Sequence, residues 1–391
     1  MELTLKQEEG LKETLRRYKN HEKYVTISGY AGTGKSTLVR FIIAALGIEE
    51  EKIAYATFTG KAAEVLRRKG NKNAMTLHKL LYEFYPKRDG GFIKKPKLEL
   101  EYDIVVVDEC SMVPKSMIDM LLAHKIFVIF LGDPGQLPMI DKTESHDLLQ
   151  HPHVFLDQIM RQAAESEIIR LTMKIRNGES IPFMKGKEVM VIPRKELVTG
   201  HLTWGDIVIT ATNANRHAFN KQIRELKGKK GLIEDGDKLL IKRNYWNDCN
   251  DDGDALVNGT IGTIHNVFET FARIPRFIKA DDHNIPIVAG EFIPEIGSSF
   301  GNIDFDKTFL DKEQPFLDWR ASYQLSRTKY ANLNPRQATY GYAITCHSAQ
   351  GSQWSKVVVI EENFPFDREE HKRWVYTGCT RPEEKLVLVR D

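Results

Sequence analysis

Residues 29–36, GYAGTGKS, satisfy the spacing GxxxxGK[ST] in full. That spacing serves one kind of chemistry. Its glycines let successive backbone N–H groups wrap a polyphosphate, and the N-terminus of the following helix adds positive potential. Lys35 would reach the outer phosphates and Ser36 would ligand magnesium, with Gly29, Ala31, Gly32, Thr33, Gly34 and Thr37 completing the cradle. Such a loop needs an acidic partner at the end of another strand, and VVVDE at 105–109 supplies it. Asp108 would hold magnesium, directly or through water, and Glu109 is placed to orient or deprotonate the attacking water. Two adjacent carboxylates after a fully apolar run need such a reason, because burying unpaired charge is costly. Together the two motifs predict hydrolysis of ATP or GTP; they do not say what it drives.

The elements that must position these residues are legible as short runs, apolar on both faces: 24–27, 52–57, 103–108 and 126–133, then 206–210, 356–360 and 385–389. Runs of this kind suit buried strands of a parallel sheet covered by helices. The reading is α/β, with two parallel-sheet domains in series, 1–155 and 156–391, and a helical stretch at 157–178 between the sheets. Two segments break the rhythm. Residues 82–100 hold a turn signal, Asp89-Gly90-Gly91, between aromatic and basic flanks, which predicts a hairpin inserted in the first domain. Residues 260–338 are rich in Pro, Gly and aromatics without helical period, which predicts a small β insertion in the second.

Composition excludes less than it permits. The chain has 391 residues, 41% hydrophobic and 28% charged, with a formal net charge of +2. A near-neutral total neither demands nor excludes nucleic acid, since a groove can be basic while the rest balances it. Cys110, Cys249, Cys346 and Cys379 are far apart and lack metal-ligand spacing, which favours thiols in a reducing cytosol. The charged, helix-periodic N-terminus is no signal peptide and no apolar run reaches the ~20 residues of a membrane span. A cytoplasmic location is expected, in a bacterial or phage-infected cell, or a nuclear one in a eukaryote. Asp248–Gly253 imitates the opening of a calcium loop, but position twelve is Gly259 where that loop needs glutamate. His151-Pro152-His153 is equally weak as a metal site.

The order of further motifs resembles the superfamily 1 DNA helicases, specifically their RecD-like branch. TFTGKAA (57–63), TLHKLL (76–81), DECSM (108–112), GDPGQLP (132–138), the 156–179 segment, TNANRHAFNKQIR (212–224), LVNGTIG (256–262), ITCHSAQGSQW (344–354) and VYTGCTR (375–381) follow the loop in the family's order. The resemblance covers most of the chain and is weakest over 82–100 and 260–338. Phe58 and Met139 stand where the family usually has proline, and Pro382 follows Arg381 where a small residue is commoner.

The resemblance implies tandem RecA-like domains with ATP and Mg2+ between them and an SH3-like character for the β insertion. It implies arginine fingers at Arg161 and Arg381, an adenine-reading Gln7 ahead of the first helix, and Gly351 among the nucleotide contacts. Gln136, just past a strand end, can sense the γ-phosphate or attacking water. Thr59, Lys61, His78 and Lys79 in the first domain, and Thr345, His347 and Ser348 in the second, would track the phosphates of a single strand. Phe84, Tyr85 or Phe92 on the hairpin would either wedge a fork apart or pack the hairpin onto its own domain.

The expected function is that of a monomeric ATP-dependent helicase. It would move 5′-to-3′ on single-stranded DNA, open forked duplexes and work beside a single-strand binding protein or the machinery of replication, recombination or repair. Two rivals remain: a translocase that strips proteins from single strands without unwinding, and a small-molecule kinase with no use for Gln136 or the second domain.

Overall fold

The computed structural model describes residues 3–86, 92–139, 141–160, 164–251, 255–278, 283–330, 333–364 and 367–391. Helix α1 (Leu5–Lys19) leads into β1 (Tyr24–Gly29), α2 (Lys35–Leu46), β2 (Ile53–Thr57), α3 (Gly60–Arg68), β3 (Ala74–Thr76) and α4 (Leu77–Leu81). After the hairpin β4 (Tyr82–Pro86) and β5 (Phe92–Pro96) come β6 (Ile104–Val107), α5 (Lys115–Leu122), β7 (Phe127–Gly132) and β8 (Val154–Leu156). Six of these strands form a parallel sheet in the order β3-β2-β6-β7-β1-β8. Ile104, Val105, Val106 and Val107 are at most 1% exposed. Burying each such side chain stabilises by about 1.5–3 kcal/mol, so charge is tolerated only where β6 ends, at Asp108. Because β6, β7 and β1 are neighbours, the segments after Val107, Gly132 and Gly29 lie side by side at the carboxyl edge, where open α/β sheets bind ligands.

Helix α6 (Glu167–Asn177) crosses to a second sheet, built from β9 (Met184–Lys185), β10 (Val189–Pro193), β11 (Ile207–Thr210), β19 (Ala343–Thr345), β20 (Trp354–Ile360) and β21 (Pro382–Arg390). Its order is β19-β11-β20-β21-β10-β9, parallel apart from the β9 edge. Helices α7 (Thr199–Trp204), α8 (Asn213–Leu226), α11 (Cys346–Ala349) and α12 (Arg368–Cys379) accompany it. The apolar runs read from the sequence are thus strands of two parallel sheets.

Between α8 and β19 lies an antiparallel sheet, β17-β16-β15-β12-β18, from β12 (Asp237–Ile241), β15 (Ile261–Arg273), β16 (Asn284–Pro294), β17 (Asn302–Asp306) and β18 (Ala338–Tyr340). A short ribbon, β13 (Tyr245–Cys249) with β14 (Ala255–Leu256), adjoins it. The sheet starts ahead of residue 260, and the region is not free of helix. Helices α9 (Lys307–Lys312) and α10 (Trp319–Ser326) begin where the side chains of Asp306 and Asp318 accept from Phe309 N and Ala321 N. Capping of this kind lets helices too short to show a period form on a tertiary surface. β4 and β5 pair antiparallel as the hairpin reading requires, while Asp89-Gly90-Gly91 lies outside the described residues. Among the described residues no helix is long and apolar enough to cross a membrane.

Candidate nucleotide site between the two parallel sheets

Residues 30–34 connect β1 to α2, and Gly32 and Gly34 hold φ of +78° and +79°. A side chain at Gly34 would also place its Cβ 2.5 Å from Gln7 Nε2 and 3.2 Å from Met160. Glycine is therefore needed there for backbone and space alike. Lys35 Nζ donates to Gly29 O (2.6 Å) and Tyr30 O (3.0 Å), and Thr33 Oγ1 donates to Tyr30 O (2.8 Å). The ammonium thus curls over its own loop. Ser36 and Thr37 follow in the first turn of α2.

Asp108 and Glu109 sit beside this loop. The Glu109 N–H donates to Asp108 Oδ1 (2.9 Å), and Glu109 adopts φ +52°. A non-glycine residue there costs on the order of 1 kcal/mol or more, and such strain clusters at functional sites. Burial above all, then the neighbouring Glu109 carboxylate, pushes the Asp108 carboxyl up to about 6, against the pull of the Glu109 N–H and Lys35.

Asp133 follows β7 and is 2% exposed. Its Oδ1 accepts from Gly135 N (2.8 Å) and its Oδ2 from the Tyr376 hydroxyl (2.7 Å). The Tyr376 oxygen in turn accepts from Ala31 N (3.1 Å). One side chain of α12 thus touches both the phosphate loop and the end of β7. Burial raises the carboxyl of Asp133, and burial with the Asp133 charge raises the Tyr376 phenol, which stays protonated as a donor. Two further bonds join the same strand end to the second sheet: Leu137 N donates to Thr377 Oγ1 (2.9 Å) and Gln350 Nε2 to Leu137 O (2.7 Å).

These groups wall a cavity of about 510 Å³. The first sheet contributes Ala31, Gly32, Lys35, Ser36, Asp108, Glu109, Asp133 and Gln136, and the second contributes Gly351, Thr380 and Arg381. Gln136 is 6% exposed, and its Oε1 has no hydrogen-bond partner among the described residues. Arg381 is buried; its guanidinium donates to Thr377 O, Ser352 O and Thr380 Oγ1. Gly351 holds φ +71°, and a Cβ there would come within 3.1 Å of both Thr59 Oγ1 and Ala62. The loop, acidic pair, glutamine and one arginine read from the sequence are thereby brought to one cavity. Arg161 lies outside the described residues; Met160, just before it, donates its N–H to Gly32 O (3.0 Å). Size, glycine geometry, a lysine on the loop and an unpartnered amide oxygen fit a nucleoside triphosphate, and Ser36 with Asp108 supplies oxygen donors suited to magnesium.

Two expectations need correction. Gln7 is not ahead of the first helix but its third residue: Oε1 accepts from Thr4 N, Thr4 Oγ1 accepts from Gln7 N, and Nε2 reaches Thr33 O and Gly34 O at 3.3 Å. It buttresses the loop rather than lining the cavity. Lys61 is not open to a phosphate. Its ammonium donates to Glu295 Oε2 (2.8 Å) and lies 4.1 Å from the Trp354 ring. Glu295 also accepts from Lys238 Nζ (2.9 Å) and Trp354 Nε1 (3.0 Å). Burial would raise the Glu295 carboxyl, but Lys61 and Lys238 outweigh it and hold it at about 2. Lys61 is lowered by its burial, which Glu295 only partly offsets.

Most of the other strand-tracking candidates are engaged locally. Thr59 Oγ1 accepts from Ala62 N and caps α3. Lys79 is exposed on a second cavity of about 210 Å³ between α3, α4 and the antiparallel sheet. His78 stacks on Tyr82, and burial, then Lys94, brings it down to about 4. Thr345 Oγ1 and Ser348 Oγ are hydrogen-bonded (3.0 Å), and burial lowers His347. Both imidazoles therefore favour the neutral form. The side chains of Phe84 and Phe92 lie outside the described residues; Tyr85 is 45% exposed. His153 accepts from Thr26 N through Nδ1, a structural duty, and Asp248 pairs with Arg336 (2.6 Å). Sequence reasoning missed Asp133, Tyr376, Thr377 and Gln350 as linking residues, although they lie within the 132–138, 344–354 and 375–381 motifs.

Comparison with known proteins follows the same division. Residues 2–189 match the AAA domain family and residues 340–389 the UvrD-like helicase C-terminal domain family. The ATP-dependent RecD2 DNA helicase of Deinococcus radiodurans is 26% identical over 93% of this chain and 46% of its own length. The ATP-dependent DNA helicase dda of Enterobacteria phage T4 is 27% identical over 46% of this chain and 43% of its own. The chain spans less than half the length of the curated relatives it matches. Among solved structures, Pif1 helicase from Candida albicans superposes with a TM-score of 0.51 at 17% identity, covering 100% of this chain and 95% of that one. Bacteroides Pif1 bound to ssDNA gives 0.51 at 17% identity, covering 99% and 92%. The shared fold is a pair of RecA-like domains.

Proposed function

We propose that this chain, which belongs to the RecD-like branch of the superfamily 1 helicases, hydrolyses ATP between its two parallel sheets and uses the resulting domain motion to move along single-stranded DNA. The observation that carries the reading is the bonding between Ala31, Asp133 and Leu137 on one side and Tyr376, Thr377 and Gln350 on the other. A site that only hydrolysed ATP would need no such ties.

Lys35 would leave its own loop carbonyls for the outer phosphates, and Glu109 would orient the attacking water. Gln136, with its unpartnered oxygen, would hold that water in line. Arg381 would neutralise charge that develops on the transferred phosphoryl group, with Arg161 as the second arginine by family pattern. Magnesium held by Ser36 and Asp108 would supply charge stabilisation at the phosphate oxygens. Movement of residues 132–138 on hydrolysis would pull on α12 and, through Gln350, on the segment bearing Thr345, His347 and Ser348.

Resemblance to the RecD-like branch favours 5′-to-3′ movement. The test is strand separation on forked DNA with either a 5′ or a 3′ tail, alongside DNA-stimulated ATPase and a Lys35→Ala control. Unwinding confined to the 3′ tail would overturn the polarity, and ATPase indifferent to single-stranded DNA would overturn the reading and favour a kinase. Deleting 86–92 separates a helicase from a protein-stripping translocase: lost unwinding with retained DNA-stimulated ATPase supports a wedge.

A further inference from the structure

The antiparallel sheet extends beyond what its own core requires. β15 and β16 stay paired out to Arg273 opposite Asn284, and their far end carries a separate small core of Ile274, Ile278, Ile285, Leu317, Ala321 and Leu325. Helix α10 closes that core with one stripe, Ala321 and Leu325. Its opposite stripe, at the same four-residue spacing, is Trp319, Tyr323 and Arg327. Trp319 is 66% exposed, Tyr323 48% and Tyr330 36%, and apolar groups gathered on one face in this way mark interaction surfaces.

The three rings are interleaved with cations. Trp319 and Tyr323 stand edge to face at 5.8 Å, the Arg327 guanidinium lies 5.4 Å from the Tyr323 ring, and Lys329 Nζ lies 5.1 Å from the Tyr330 ring. From Trp319 to Tyr330 the chain carries Arg320, Arg327 and Lys329 and no carboxylate. The nearest one before it, Asp318, is engaged in capping α10.

From this juxtaposition we infer that the outer face of α10 with the turn to Tyr330 is a binding site for a single nucleic-acid strand, separate from the groove between the two domains. Exposed rings can stack on unpaired bases of any sequence, and Arg320 and Lys329 meet the phosphates between them. A duplex offers such rings no open base faces except at its ends, which is why the occupant is a single strand. The inference rests on the proposed function and adds a second grip beyond the motor, for strand entering or leaving it.

The test uses the full chain and oligothymidylates of about 8 and about 30 nucleotides, only the longer of which could occupy groove and α10 together. Trp319→Ala/Tyr323→Ala is expected to weaken binding of the longer oligomer by roughly 5–150-fold per base stacked. Binding of the shorter one, and ATPase saturated with it, should not change. Arg320→Ala/Lys329→Ala should flatten the salt dependence of long-oligomer binding by ~0.7 log units per log unit of salt for each phosphate these cations neutralise. Unchanged long-oligomer affinity in both double variants, with short-oligomer binding intact, overturns this inference alone. A wild-type chain that binds neither oligomer overturns the proposed function with it. A DNA-free wild type that sediments as a dimer, converted to monomer by Trp319→Ala/Tyr323→Ala, assigns the face to a second copy of the chain and also overturns it.

Discussion

Replacing Tyr376 with phenylalanine removes one oxygen and with it two hydrogen bonds between the domains. The hydroxyl donates to Asp133 Oδ2 at 2.7 Å and accepts from Ala31 N at 3.1 Å. A hydrogen bond to a charged partner contributes about 1.5–3 kcal/mol, and here the carboxylate oxygen is left buried with its burial unrelieved. Asp133, already raised by burial, would rise further, because the Tyr376 hydroxyl is one of the groups pulling it down. At ~2–4 °C per kcal/mol for domains of this size, the nucleotide-free protein should melt roughly 3–12 °C lower.

A non-hydrolysable ATP analogue should narrow that gap, because phosphate would then accept from Ala31 in place of the phenol. The assays are thermal unfolding with and without the analogue, and ATPase with and without single-stranded DNA. Basal hydrolysis should survive, while stimulation by DNA falls about tenfold, equivalent to ~1.4 kcal/mol of lost coupling. Thr377→Val, which unties Leu137, should act in the same direction and less than additively when combined. A Tyr376→Phe protein with wild-type melting and wild-type DNA stimulation would refute the idea that this bond couples the domains.

Lys35→Ala should lower ATPase to background while leaving single-strand affinity within about threefold, read by anisotropy. Gly34→Ala combines a φ of +79° with a 2.5 Å approach to Gln7 Nε2; it should cost roughly 1–3 kcal/mol of stability and abolish nucleotide protection against unfolding. Glu295 is held at about 2 against the usual 4.5. A depressed carboxyl stabilises fully above its unfolded value and loses that contribution as pH falls through the folded one. Interdomain stability should therefore decline between about pH 4.5 and pH 2, by up to about 3 kcal/mol. Glu295→Gln should be less stable at neutral pH and flat across that window; a matching slope in the variant would assign the acid sensitivity elsewhere.

What could be read in advance followed how local the physics was. Asp108, Glu109 and the 29–36 loop were legible because a strand must be apolar to its end and a phosphate cradle must have glycine at fixed steps. Strands of three residues, such as β3, β8 and β19, carry too few side chains to show a period. The seat of Gln7 is local: Thr-x-x-Gln at 4–7 is a capping-box pattern, which puts Gln7 inside the helix rather than ahead of it. The fate of Lys61 was not readable, because Glu295 lies 234 positions away, and Asp133 and Tyr376 are 243 apart. Such pairings are decided by how two finished domains meet.

The paired strands that carry α10 have a mechanical consequence. β15 is 13 residues long and bulged at Asn266, so at ~3.3 Å per residue it makes an arm of at most about 40 Å, rooted beside the interdomain contact at Glu295. A rotation of about 10° at its base sweeps the tip through at most ~7 Å, on the scale of one to two nucleotide rises at ~3.4 Å each. In the proposed motor, cleft motions too small to advance a strand by one base would thus be geared up at the tip of this arm.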